Sequence, residues 1–243
     1  METCAPGGRE AQPFAAAIFD FDGVVIDSIG PDRLACEALF REYGERLPVT
    51  WWAARVCGRP DGYEQLFNRI IVLASSRHRA VPVAPTRDSL RQRLAQLWAE
   101  YLTESHIRLL PAVQELLATL HAADLRLAVA SASNRSWVSR WLHHYDLARY
   151  FGTIVTSDDV RHRKPHPEVY HEAMRRLGVR PDGCVAFEDS LAGITAARAA
   201  GATVVAVPTD STRFLDHSAA DAVVDDLSAV SLDWLAGIGR ERA

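Results

Sequence analysis

The sequence predicts an α/β protein, in which a parallel sheet with flanking helices is interrupted by a helical insert. Short apolar runs alternate with amphipathic helical stretches over most of the 243 residues, which is the pattern of parallel strands joined by helical crossovers. The alternation stops after the first apolar run and resumes near residue 110. The interval between them contains helical periodicities and no long apolar strand, so we expect it to lie outside the sheet.

The first predicted strand is the apolar run 15–19, which ends abruptly in Asp20 and Asp22. Because the run is continuously apolar rather than alternating, we expect a strand buried on both faces. Ligands of open α/β sheets bind beyond the carboxyl ends of the strands, and two carboxylates there are costly unless a cation or a proton compensates them. The period of an extended chain places Asp20 and Asp22 on the same side, and Gly23 permits the turn that follows.

The interval 29–107 is predicted to form a small α-helical cap domain. Its first helix starts near Pro31 and ends at Gly44, and apolar stripes at 66–73 and 90–102 predict further helices. The predicted organisation, in chain order, is a disordered tail at 1–13, core-domain residues 14–28, the cap, and core-domain residues 108–243.

Beyond the insert, helices and strands alternate again. Strands are predicted at 125–130, 153–156, 184–187, 203–207 and 222–224. Helices are predicted at 111–123, 137–142, 167–177, 191–200 and 232–238. The order predicts a Rossmann-like parallel-sheet core domain with an inserted small α-helical cap domain.

Polar residues follow several of these strands. Ser131 follows the strand at 125–130, Glu188 and Asp189 follow the strand at 184–187, and Lys164 lies in the loop after the short strand at 153–156. Taken singly, each has an ordinary structural explanation: a helix N-cap for Ser131, a surface position for Lys164, and a capped helix start for the acidic pair. Since a parallel sheet brings strand ends to one edge, we interpret them jointly as one site with Asp20 and Asp22.

These residues, in this order, resemble the four motifs of the haloacid dehalogenase superfamily. The first motif is Asp-x-Asp-Gly-x-x-x-Asp-Ser at residues 20–28, and the resemblance extends from about residue 15 to about residue 224. It implies that Asp20 is a nucleophile that forms an aspartyl-phosphate, which splits hydrolysis into two easier steps. It also implies that Asp22 is the general acid and base, that Ser131 and the amide of Ala132 bind the phosphoryl group, and that Lys164 neutralises charge.

The resemblance further implies a Mg²⁺ cofactor. Its ligands would be the Asp20 carboxylate, the Asp22 carbonyl and Asp189, with Glu188 binding directly or orienting water on the ion. Such an all-oxygen set suits magnesium.

The pattern favours a phosphatase acting on a small phosphorylated metabolite. Asp22 is retained, and by resemblance this favours phosphate esters over the substrates of dehalogenases. The cap is similar in position to those of phosphoglycolate phosphatases, sugar-phosphate phosphatases and beta-phosphoglucomutase, so we expect a sugar phosphate or a phosphoglycolate-like substrate. The predicted substrate-binding residues are Gly23, Asp32, Arg59, Ala132, Ser133 and Asn134.

Two alternatives stay open. In a phosphomutase, the family pattern has a histidine twelve residues after the nucleophile, where this chain has Asp32, and a cap lysine and arginine for the second phosphate. Between residues 88 and 104 this chain has Arg91 and Arg93 but no lysine, although Arg59 could serve. The other alternative is a binding protein that has lost catalysis, which the retained reactive residues disfavour.

Composition disfavours other classes of protein. The net charge of −4 gives no polybasic field, so we expect no nucleic-acid partner. No apolar stretch reaches the length of a membrane span, and four cysteines without paired spacing suggest a reducing compartment, so we expect a cytoplasmic protein that binds no membrane. A monomer is expected. The histidines show no metal-ligand spacing tied to a carboxylate and are interpreted as surface or packing residues, and the tryptophans at 51, 52, 98, 137 and 141 as core.

Overall fold

A computed structural model describes residues 13–76 and 85–242. The expected tail at 1–13 therefore lies outside the described residues, apart from its last residue. The described strands are β1 Ala16–Phe19, β2 Ile26–Asp27, β3 Arg108–Leu109, β4 Arg126–Ala130, β5 Thr153–Val155, β6 Cys184–Glu188, β7 Thr203–Ala206 and β8 Ala222–Val223. The helices are α1 Ile29–Glu42, α2 Val49–Arg55, α3 Gly62–Ser76, α4 Arg87–Tyr101, α5 Val113–Ala122, α6 Arg135–His144, α7 Glu168–Leu177, α8 Leu191–Ala199 and α9 Leu232–Arg242.

Six of these strands form one parallel sheet in the order β5-β4-β1-β6-β7-β8. Helices cover both faces, so the predicted Rossmann-like α/β class is confirmed. β1 lies in the interior of the sheet between β4 and β6, and its four residues are fully buried. The carboxyl end of β1 therefore opens at the middle of one sheet edge.

The two faces of the sheet bury different kinds of side chain. On one face, Phe19 stacks on Phe187 with ring centroids 4.7 Å apart. On the other, Ile18 and small residues such as Ala128 and Ala186 leave room for α7 and α8 to pack closely. Alternation along β1 thus fixes which face each residue supports.

A short antiparallel pair, β2 with β3, was not predicted. Ile26 pairs with Leu109 and Asp27 pairs with Arg108. The pair lies where the chain leaves the core toward the helices and where it returns. Two residues per strand are too few to produce a periodic signal, so only the folded chain reveals this pairing.

Helices α1 to α4 occupy the interval predicted to be the cap, and they have an apolar core of their own. This core contains Leu39, Trp52, Phe67 and Leu94, all buried. The bounds of the two domains stay a prediction. Among the described residues, no helix combines the length and the apolarity needed to cross a membrane.

Candidate active site

The centre of the site is a buried ammonium group between two carboxylates. Lys164 Nζ lies 2.7 Å from Asp20 Oδ1 and 2.5 Å from Glu188 Oε1, and it also donates to the carbonyl of Ala130 at 2.8 Å. The Lys164 side chain is only 4% exposed. The ends of β1, β4 and β6 therefore meet around one cation, although Lys164 comes from the loop after β5.

Glu188 has a further partner that the sequence did not indicate. The hydroxyl of Tyr170, on α7, donates to Glu188 Oε1. The same ring has Lys164 Nζ 5.1 Å from its centroid, a distance at which a cation is attracted to the ring face. Tyr170 therefore holds both partners of the buried ion pair.

Asp189 is buried beside this group with one carboxylate oxygen unpartnered. Asp189 Oδ2 has no hydrogen-bond partner, and Asp20, Glu188 and Asp189 offer carboxylate oxygens within 4.8 Å of one another. Gly23 has φ +89°, and a Cβ on it would lie 2.3 Å from Asp189 Oδ2, so the backbone approaches this carboxylate as closely as a glycine allows. An unpartnered buried oxygen within an all-oxygen donor set fits a Mg²⁺ site.

The pKa values reflect the crowding of these acids. Burial raises the pKa of Asp20 to about 7, Lys164 opposes this rise, and Glu188 adds to it. Burial and the neighbouring Asp20 and Glu188 raise the pKa of Asp189 well above its usual range. Burial alone would lower the pKa of Lys164, but the two carboxylates that it contacts raise it instead, so this side chain stays charged.

Asp22 is held apart from the ion pair by three donors. Its Oδ1 accepts from Ser28 Oγ at 2.6 Å and from Trp137 Nε1 at 2.9 Å, and its Oδ2 accepts from Ser133 Oγ at 2.5 Å. Gly23 adopts the predicted turn, and the amide of Gly23 donates to the carbonyl of Ile26. The two aspartates that the sequence places one residue apart therefore have different surroundings.

The segment 131–134 links β4 to α6. Ser131 is buried, and its Oγ accepts from the amide of Ser133 at 3.0 Å. The Asn134 side chain caps α6 by accepting from the amide of Trp137 at 2.9 Å. Ala132, Ser133 and Asn134 line the cavity described next.

A cavity of about 520 Å³ lies between this sheet edge and the helical insert. Asp20, Asp22, Lys164 and Asp189 form its floor, and Asp32 and Arg59 line it from the insert. All of the predicted site residues except Gly23, Ser131 and Glu188 line the cavity, and these three are buried directly behind it.

Asp32 is fixed by two aromatic donors. Trp98 Nε1 donates to Asp32 Oδ1 at 2.6 Å and the hydroxyl of Tyr63 donates to Oδ2 at 2.9 Å. Burial raises the pKa of Asp32 to about 6 despite these two hydrogen bonds. Arg59, by contrast, is about half exposed, 3.5 Å from Asp61.

Trp52 and Trp141 are fully buried, as the interpretation of the tryptophans as core predicts, and Trp51 packs partly exposed against the apolar core of the insert. Trp98 and Trp137 also pack against the apolar clusters but have a second role. The latter two line the cavity and direct their indole N–H groups to carboxylates. Apolar spacing on a helix does not distinguish a tryptophan whose ring is packed but whose nitrogen reaches a site.

Comparisons with known proteins agree with this geometry. A family model described as haloacid dehalogenase-like hydrolase matches residues 17–207. The chain is similar to Protein CbbY of Rhodobacter capsulatus, 33% identical over 89% of this chain and 95% of that protein, and to hexitol phosphatase B of Escherichia coli (strain K12), 31% identical over 79% and 83%. The crystal structure of CbbY from Rhodobacter sphaeroides in complex with phosphate superposes with a TM-score of 0.66 and 25% identity, covering 88% of this chain and 95% of that one.

Proposed function

The chain belongs to the haloacid dehalogenase-like hydrolase family, and from this premise we propose that it is a Mg²⁺-dependent phosphatase that hydrolyses a small sugar phosphate through an aspartyl-phosphate on Asp20. The relatives that carry phosphatase names support the reaction class. The domain bounds and the site residues predicted from the sequence enter as parts of this proposal.

The observation that carries the proposal is the charge around Lys164. Three buried carboxylates, Asp20, Glu188 and Asp189, surround one ammonium group, which leaves an excess of two negative charges when all are ionised. A phosphate ester adds further negative charge. A buried excess of this size must be compensated by protons or by a cation, and a divalent cation matches it while leaving Asp20 ionised for attack.

The protein groups would act in two steps. Asp20 Oδ1 faces Lys164, so the other carboxylate oxygen attacks phosphorus, and the bond to the leaving oxygen breaks as Asp22 gives that oxygen a proton. Asp22 then takes a proton from water, whose oxygen attacks phosphorus and releases phosphate and Asp20. Lys164, whose three N–H groups are directed to Asp20, Glu188 and the Ala130 carbonyl, would neutralise charge on the phosphoryl group. The amide of Ala132 would donate to a phosphoryl oxygen, with Ser131 behind it.

Mg²⁺ held by the Asp20 carboxylate, the Asp22 carbonyl and Asp189, with Glu188 beside it, would neutralise charge on the phosphoryl group. The hydrogen bond from Lys164 keeps Asp20 oriented for attack.

Asp32 favours a leaving group with hydroxyls. Its Oδ1 accepts from Trp98 and from the Cys36 thiol, whereas its Oδ2 accepts from Tyr63 alone and retains a further lone pair for a substrate hydroxyl in the cavity. A carboxylate on the substrate, as in phosphoglycolate, would be repelled by the Asp32 carboxylate unless the Arg59 guanidinium neutralised one of the two charges. We therefore place sugar and sugar-alcohol phosphates ahead of phosphoglycolate.

The test is phosphate release from sugar phosphates, sugar-alcohol phosphates, phosphoglycolate and nucleotides with Mg²⁺, with Asp20→Asn in parallel. We expect release from the hydroxylated substrates, loss of release with chelator, and no release by the variant. Conversion of a sugar 1-phosphate to an isomer without phosphate release, dependent on a sugar bisphosphate, would instead identify a mutase. No phosphate release from any of these substrates, with Mg²⁺ bound, would favour a binding protein.

A cytoplasmic location, a monomeric state and the lack of nucleic-acid and membrane partners stay predictions from the sequence. None enters the proposal.

A further inference from the structure

Two histidines and a glutamate come together on the loop that carries Lys164. His162 and His166 are well exposed, with 63% and 51% of their side chains accessible, and Glu168 is 30% exposed at the start of α7. Lys164, in the middle of the same segment, is 4% exposed. The segment thus presents its lysine to the active site and its histidines to solvent.

The three side chains converge on one point. His162 Nδ1 lies 2.8 Å and His166 Nδ1 lies 3.8 Å from Glu168 Oε2. One ligand atom from each of the three lies within 4.8 Å of the others, and the imidazole ring centroids are 4.6 Å apart. The sequence spacing alone did not indicate this cluster, because the turn of the loop rather than a helix brings the residues together.

The carboxylate is fixed before any ligand arrives. The amides of Arg161 and His162 donate to Glu168 Oε1 and Oε2, each at 3.0 Å. These hydrogen bonds, with that from the His162 side chain, lower the pKa of Glu168 to about 2. Glu168 is therefore ionised at neutral pH, and its orientation does not depend on the histidines alone.

We propose that His162, His166 and Glu168 form a second metal site, which takes Zn²⁺ or a similar transition-metal ion and is separate from the buried carboxylate site. Two imidazoles and one carboxylate are a recurrent zinc ligand set, and water completes the coordination. Mg²⁺ prefers oxygen ligands and is not expected here. The neighbouring Arg161 and Arg163 oppose a cation, so the coordination bonds must outweigh their repulsion.

Binding at this site would act on the loop around Lys164. His162 stands two residues before Lys164 and His166 two residues after it. An ion held by both ties the two sides of this segment together in the conformation that directs Lys164 inward. A ligand that binds only the folded form stabilises it, so we expect Zn²⁺ to raise the Tm of the protein.

The experiment measures Zn²⁺ binding by calorimetric titration in excess Mg²⁺, which saturates the buried site. Wild type is expected to bind one Zn²⁺ that His162→Ala and His166→Ala do not bind. His171→Ala removes another exposed histidine, on α7, and is the matched control that should retain the ion. Circular dichroism establishes that each variant is folded.

Two further outcomes bear on the proposal. Substituting Co²⁺ should give visible absorption bands in wild type and in His171→Ala that are lost in both site variants. Equal Zn²⁺ binding by wild type and the two site variants would overturn the proposal, because it would assign the ion to the buried carboxylates or to adventitious surface binding. So would a Zn²⁺-dependent rise in Tm that survives both substitutions.

Discussion

Replacing Asp189 by asparagine should stabilise the protein in the absence of divalent cations and abolish its response to Mg²⁺. Asp189 Oδ2 is buried without a hydrogen-bond partner, within 4.8 Å of carboxylate oxygens of Asp20 and Glu188. Asparagine has nearly the same shape and no charge. The substitution therefore removes the electrostatic cost of this buried group while removing one of the proposed Mg²⁺ ligands.

The magnitude can be bounded in two ways. If Asp189 stays ionised, each neighbouring carboxylate costs about 3.5 kcal/mol or more at an effective dielectric constant of about 20, since their oxygens lie within 4.8 Å. If it takes up a proton instead, doing so at pH 7 from an ordinary pKa of 3.8 costs about 4 kcal/mol. We therefore expect Asp189→Asn to raise the free energy of unfolding by up to about 4 kcal/mol at pH 7, or about 8–16 °C in Tm for a chain of this size.

The sign of the pH dependence follows from the raised pKa. Without a divalent cation, folded wild type holds a proton on Asp189 at pH values where the unfolded chain has lost it, so its stability falls as pH rises above about 4. Asp189→Asn lacks this contribution. The difference in Tm between the two should therefore be small near pH 4 and grow toward neutral pH.

The assay is thermal unfolding in EDTA and in Mg²⁺ at several pH values. Mg²⁺ at about 100 times its Kd should stabilise wild type by about 2.7 kcal/mol and leave Asp189→Asn unchanged. Asp210→Asn, with 92% of the Asp210 side chain exposed, is the control that should respond like wild type. A Tm of Asp189→Asn below that of wild type in EDTA at neutral pH, or an equal rise of both Tm values with Mg²⁺, would contradict the assignment of an uncompensated charge to Asp189.

Three further substitutions test the remaining parts of the site and core. Trp137→Phe removes the indole donor to Asp22 and should lower kcat about tenfold or more with little change in KM. The reason is that a hydrogen bond to a charged group contributes about 1.5–3 kcal/mol. An unchanged kcat would show that this contact does not position Asp22. Gly193→Ala places a Cβ 1.9 Å from Glu188 Oε2 and should abolish activity, whereas an active variant would mean that Glu188 moves freely. Phe187→Ala should cost about 3–5 kcal/mol in unfolding experiments, because the ring is fully buried, and a loss below 1 kcal/mol would contradict the packing described.

Much of the fold was predictable because the central strands, above all β1 and β6, leave continuous apolar runs in the sequence. The polar residues that follow those runs could be placed at one edge from the rule for parallel sheets alone. Asp20, Lys164 and Glu188 do meet there, within hydrogen-bonding distance. Neither their distances nor the order of the strands could be read from the pattern.

The partners of the two isolated acids could not be predicted. Asp22 is bound by Trp137 and Asp32 by Trp98, and in each pair the residues lie far apart in sequence on elements with independent periodicity. Helical spacing reports which side of a helix is apolar and says nothing about the direction of a single indole nitrogen. Such contacts depend on how the insert and the core pack, which is a property of the whole chain.

The interior position of β1 determines when the sheet can be completed during synthesis of the chain. β1 leaves the ribosome before both of its neighbours in the sheet, which begin only at residues 126 and 184. Until β6 has emerged, one edge of this apolar strand lacks its partner and can pair with other chains. Helices α1 to α4 share a separate apolar core, so they can fold before β6 has emerged. We therefore expect nascent chains that stop before residue 188 to bind a chaperone, and chains that include β6 to fold without one.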